Sequence, residues 1–112
     1  MRFTRLPLAT RERIVDCFIA DIGAAAAARL LALNRKTINT WYAELRARLL
    51  RTPRSPVLNA RVLHGFHERR IAKFNGLDKR LLGVYRRESE VRFAQKKRFG
   101  ALVRGLSADL LG

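Results

Sequence analysis

Apolar residues recur every three to four positions along almost the whole of this 112-residue chain, and no run alternates apolar with polar as a half-buried strand does. A chain patterned in this way buries its apolar stripes by packing helix on helix, so the expected fold class is all-α. Barrels and doubly wound sheets need alternating strands and more chain, which excludes the large catalytic scaffolds. The 48% of apolar residues is enough for a core, and the chain is expected to be globular.

The periodicity places a first helix behind a Thr10 cap, with Ile14, Val15, Phe18 and Ile19 inward and Arg11, Arg13 and Asp16 outward. Asp21-Ile22-Gly23 ends it. An Ala-rich second helix spans Ala24–Leu31, a turn follows at Ala32-Leu33-Asn34, and a third helix spans Arg35–Leu50 with Ile38, Trp41, Leu45 and Leu49 as its stripe. Two prolines in Arg51-Thr52-Pro53-Arg54-Ser55-Pro56 forbid a continuous helix. That break divides an N-terminal trihelical unit, 1–52, from a linker, 53–58, and a basic unit of about three helices, 59–112. In the second unit a helix over 59–74 sets Leu63, Phe66, Ile71 and Phe74 against Arg61, Arg69 and Lys73. Asn75-Gly76 with Leu77 is expected to stop it, Asp78 to cap a helix over 79–97, and a last helix over 101–111 to align Leu102, Leu106 and Leu110.

Charge points to the partner. Twenty-four basic residues against nine acidic give +15, more of it in the second half, and 19 of the 24 are arginine, whose planar fork matches phosphate. Cys17 stands alone and reads as a small buried apolar residue, so no internal disulfide forms. The longest apolar run, 22–28, is far short of the ~20 residues of a spanning helix. Met1-Arg2-Phe3-Thr4-Arg5 lacks the pattern of a signal peptide, and a cytoplasmic, nucleoid-associated protein with no membrane partner is expected.

The segment 24–43 is the most specific. A helix-turn-helix needs small residues where its second and third helices approach, a tight turn, and apolar positions at fixed offsets. Ala27 and Ala28 supply the small face, Leu31 and Leu33 bracket the turn, Ile38 and Trp41 pack the third helix back, and Asn34 stands where a side chain caps it. The face left outward carries Arg35, Lys36, Asn39, Thr40 and Ala43. Arginine and lysine can read guanine or hold phosphate, asparagine can read adenine, and threonine can meet a thymine methyl. These five and Asn34 are the candidate contacts to double-stranded DNA; an ordinary helical hairpin is the competing reading.

Ala27-Ala28-Arg29-Leu30-Leu31-Ala32-Leu33-Asn34-Arg35-Lys36-Thr37-Ile38, with Tyr42 and Leu45-Arg46, resembles the N-terminal helix-turn-helix of ISXO-like insertion-sequence transposases. Arg69-Arg70-Ile71-Ala72-Lys73-Phe74-Asn75-Gly76-Leu77 and Glu88-Ser89-Glu90-Val91-Arg92-Phe93 are similar to the C-terminal tail of that family. The family's chemistry lies in a central RNase H-like core that holds divalent metals, and here the two flanking parts meet across a short linker. Counting back from the Lys-Phe-Asn-Gly turn puts the third catalytic position at Leu58, with Asn59 one residue out of register, and no catalytic role passes to Asn59. The resemblance thus implies DNA binding in an internally deleted transposase-like protein, not an enzyme, with no strand-transfer chemistry of its own. A homodimer or a full-length transposase would be its further partners. An accessory subunit or annotated transposase, a basic RNA- or ribosome-binding protein, and a decayed fragment are the alternatives.

The other candidates are weaker. Arg69, Arg70, Lys73, Lys79 and Arg80, with Arg86 and Arg87, form a basic set that can follow a phosphate backbone or simply face water. His64 and His67 read as surface residues without the complement of a zinc site, Glu88 and Arg92 as a pair on a helix surface, and no catalytic residue, metal or cofactor is implied.

Overall fold

Two left-handed residues set the path of the N-terminal half. The structure, a computed structural model, describes residues 3–54, 59–74 and 78–112, and among these every regular element is helical. Helix α1 spans Leu8–Ile19 and α2 spans Ala24–Leu31. After α1, Asp21 takes φ 61°, and the Asp21 and Ile22 amides donate to the Phe18 and Cys17 carbonyls. After α2, Ala32 takes φ 54°, and the Ala32 and Leu33 amides donate to Arg29 and Ala28. Both ends are the same stop, in which one left-handed residue lets two amides satisfy the last carbonyls while the next residue, Ile22 or Leu33, turns onto the core. Helix α3, Arg35–Leu50, then starts at Asn34, whose Oδ1 accepts from the Lys36 amide at 2.8 Å.

One apolar cluster joins the two halves of the chain. Ile14, Val15 and Phe18 of α1, Ala27 and Ala28 of α2, and Ile38, Trp41, Tyr42, Leu45 and Leu49 of α3 bury together with Val91, Phe99, Val103 and Leu110. The last four come from α5 (Leu82–Gln95), α6 (Phe99–Leu106) and α7 (Ala108–Leu111). Helix α4, Ala60–Ala72, lies outermost on α5, with Leu63 buried and the Phe66 and Phe93 rings 5.6 Å apart. The break after α3 therefore ends a helix without ending the core, and a radius of gyration of 13.9 Å is close to the ~13 Å of a single packed body this long. Polar ties reinforce the join: Arg48 of α3 reaches Asp109 and the Leu106 carbonyl, and Arg11 of α1 reaches the Leu110 carbonyl at 2.9 Å.

Several local expectations are corrected. Helix α1 begins at Leu8 behind Pro7, whose carbonyl accepts from Arg11, so Thr10 sits inside the first turn and caps nothing. A proline ahead of a helix fixes its entry without needing a side-chain cap. The stretch 79–97 is not one helix: a 3-10 turn at Lys79–Leu81, capped by Asp78, precedes α5, and another at Lys96–Arg98 follows it. The last helix starts at Phe99 and breaks at Ser107, whose buried hydroxyl donates to the Val103 carbonyl at 2.7 Å. Its deepest residues are therefore Phe99, Val103 and Leu110, with Leu102 and Leu106 packed at the edge. Positions 55–58 of the linker and the Asn75-Gly76-Leu77 stop lie outside the described residues.

Candidate nucleic-acid interface

Helix α3 is divided lengthwise. Its inner side is fixed by Ile38, Trp41, Leu45 and Leu49, each no more than 2% exposed, and by Tyr42, whose hydroxyl donates to the Ile22 carbonyl at 2.8 Å. Tyr42 thus belongs to the core. Trp41 is clamped edge-on by Phe3, with ring centroids 5.1 Å apart, and its buried indole N–H has no partner among the described residues. Because the inner side holds the helix in one rotation, the outer side is fixed too: Asn34, Arg35, Lys36, Asn39 and Ala43 are exposed and Thr40 is half-buried. The Thr40 hydroxyl donates to the Lys36 carbonyl at 3.0 Å. Asn34 is the cap, so its side chain serves the helix first.

The basic set of the second half is dispersed. Arg69, Lys79 and Arg80 are exposed, with Arg80 forked onto Asp78, and the Lys73 side chain is half-exposed with its Nζ 3.3 Å from Asp21. Arg70 is not available to a phosphate. It is 4% exposed; its Nε and Nη2 donate to the two Asp21 oxygens at 2.6 and 2.8 Å, and Nη2 also lies 3.0 Å from Glu88. Arg87 is buried as well and donates to the Thr52 carbonyl. Of the tail residues named as backbone contacts, Lys73 alone lines the groove that runs along α3, opposite Arg35 and Asn39.

Glu88 and Arg92, expected on a helix surface, are in the interior. Glu88 is 1% exposed and receives Arg46 of α3 at 2.7 Å, Arg92 at 2.8 Å and Arg70 of α4 at 3.0 Å. Arg92 continues to the Phe18 and Ile19 carbonyls at the end of α1 and lies over the Phe18 and Phe99 rings. Ser89 adds its hydroxyl to Arg70 and to Nδ1 of His67, which is buried while His64 stays exposed beside Glu68. Burial opposes ionisation of Asp21, but the Arg70 hydrogen bonds and the charges of Arg92, Arg70 and Lys73 outweigh it and hold its carboxyl at about 2. Glu88 is shifted the same way: its burial is overcome by Arg46, Arg92 and Arg70. For His67, burial and then the Arg86 charge lower the pKa, so the ring is neutral at pH 7. The network ties the turn after α1 to α3, α4 and α5.

No protein-family model, curated protein or solved structure matches the chain. Among the described residues no helix is long and apolar enough to cross a membrane, and no group of three or more His, Cys, Asp or Glu converges as metal ligands would. The divalent metals held by the core of ISXO-like transposases have no such set of ligands among the described residues. Asn59, the residue nearest that family's third catalytic position, caps α4 by accepting from the Val62 amide at 3.1 Å.

Proposed function

We propose that this chain binds double-stranded DNA through the outer face of α3. The observation that carries the reading is the split of that helix: one side buried to 2% or less, the other presenting Arg35, Lys36, Asn39 and Ala43 unburied on a chain of charge +15. A helix held by its apolar side and tipped with base-reading and phosphate-binding groups is what entry into a major groove requires. The α2 stop at Ala32 and the Asn34 cap give the short connection between the two helices that such a unit uses. The resemblance to the flanking parts of ISXO-like transposases supports the same reading. It makes the protein a DNA-binding relative without strand-transfer chemistry. Within that reading the tail acts as a brace: Arg70, Glu88 and Arg92, all inside the segments that carry the resemblance, are spent on Asp21, Arg46 and one another.

Selection of bound duplexes from a random pool by the full chain tests the proposal. Enrichment of a short motif whose binding weakens on Lys36→Ala or Asn39→Ala supports it. Retention of every sequence alike, or tighter binding of structured RNA than of duplex DNA, overturns it.

A further inference from the structure

The ion cluster behind α3 carries more positive than negative charge. Arg46, Arg70, Lys73 and Arg92 are set on two carboxylates, Asp21 and Glu88, and the three arginine side chains are between 4% and 17% exposed. Net charge held out of water is costly until a counter-ion meets it. Two of the four cations, Arg46 and Lys73, line a groove of about 620 Å³, where Arg29 and Arg35 join them. The acid in that lining, Asp78, is already engaged by Arg80 at 3.0 Å. The groove is therefore an anion-attracting cavity, and its size falls within the ~300–1,000 Å³ typical of small-ligand sites.

Its walls say what else the ligand carries. The lining combines small residues, Ala25 and Ala26 of α2 with Ala43 and Ala47 of α3, and larger apolar ones, Phe74, Leu81, Val84 and Tyr85. Small side chains among larger apolar ones leave a slot that suits a flat ring, and the Asn39 amide in the lining offers a donor and an acceptor to a base edge. We propose that this groove binds a nucleotide, with its phosphate against the cations of the cluster and its base in the alanine-lined slot. A free nucleotide and the phosphorylated end of a DNA strand share that chemistry. The groove shares Arg35, Asn39 and Ala43 with the face proposed to read duplex DNA, whereas Lys36 is not in its lining, so loss of Lys36 separates the two readings.

The test is titration of the full chain with deoxyadenosine 5′-monophosphate, deoxyadenosine, inorganic phosphate and a 5′-phosphorylated single-stranded oligonucleotide, followed by backbone amide shifts. The nucleotide should give saturable shifts centred on Ala25, Ala26, Ala43 and Ala47, with deoxyadenosine and phosphate each binding about tenfold or more weakly. Ala47→Leu, which fills the slot, should abolish binding, and Lys73→Gln, at a half-exposed position, should weaken it several-fold without unfolding the chain. Lys36→Ala should leave it unchanged. Tighter binding of the oligonucleotide identifies a strand end as the ligand, and tighter binding of the mononucleotide a free nucleotide; both support the site. Shifts that never saturate, shifts spread over the whole basic surface, or unchanged affinity in Lys73→Gln together with a folded Ala47→Leu overturn it. So does an acidic amphipathic peptide that saturates the groove where the nucleotide does not.

Discussion

Replacing Glu88 by glutamine should cost more stability than any other loss of one charge in this chain. The substitution keeps the shape of the side chain and removes the charge that meets Arg46 at 2.7 Å, Arg92 at 2.8 Å and Arg70 at 3.0 Å. At 1% exposure water cannot replace it, and the remaining carboxylate, Asp21, is shared among Arg70, Lys73 and Arg92. Removing one partner of a buried ion pair leaves uncompensated charge and costs ~3–5 kcal/mol. A domain of this length has roughly 6–17 kcal/mol to lose, at about 0.05–0.15 kcal/mol per residue. Glu88→Gln should therefore remain folded but marginal, with a melting midpoint lowered by about 12–20 °C, given ~4 °C per kcal/mol for a chain of this size. Thermal and urea melts followed by helical circular dichroism read this directly. Glu68→Gln is the control: its side chain is 55% exposed and 3.9 Å from His64, so a change within ~0.5 kcal/mol is expected. If Glu88→Gln melts within about 3 °C of the parent, the network does not hold the tail in place and the reasoning fails.

Three further outcomes follow from the same packing. The folded state holds the Asp21 carboxyl at about 2, below its ordinary 3.8, so the unfolded chain binds more protons as pH falls between those values. That share of stability, roughly 2 kcal/mol, is present above the ordinary value and lost as pH drops through the folded one. Urea midpoints between about pH 2 and 6 should show this acid loss, and Asp21→Asn should lower the neutral stability and flatten the curve. Ala32→Gly should stabilise the protein by ~0.5–1 kcal/mol in denaturant titrations, because a left-handed residue costs alanine more than the extra unfolded-state freedom costs glycine. Residues 1–52 alone should be partly helical yet melt without a cooperative transition, since Val91, Phe99, Val103 and Leu110 no longer cover Phe18 and α3; a sharp melt would show that the trihelical unit folds by itself.

What the sequence made legible follows from where apolar side chains set the structure. Helices α2 and α3 have the expected bounds because Ala27, Ala28, Ile38, Trp41, Leu45 and Leu49 are both periodic and buried. The outer face of α3 is the complement of that stripe and could be read with it. The ion network could not, because its members are charged and a charged residue is ordinarily assigned to solvent. A signal was nevertheless present in α5: Tyr85, Glu88, Ser89 and Arg92 repeat at the three-to-four spacing of a buried face, on a helix with too few apolar residues to fill one. Polar residues on a face that must pack imply partners, here Arg70 and Asp21 from elements distant in sequence. Helix starts were harder still: Thr10 is a plausible cap by type, but Pro7 fixes the entry three residues before it and makes that cap unnecessary.

The central claim, that the outer face of α3 reads duplex DNA, is tested most directly by comparing parent, Lys36→Ala and Asn39→Ala for affinity to one enriched and one scrambled duplex at several salt concentrations, with melting curves for each protein. Both side chains are exposed, so all three proteins should melt alike. The residue that reads a base should lose ~1–3 kcal/mol on the enriched duplex and little on the scrambled one. The residue that holds a phosphate should weaken binding to both duplexes equally and lower the logarithmic salt slope by about one. Variants that stay folded and bind both duplexes as tightly as the parent, with the same salt slope, would show that α3 serves the fold and not recognition.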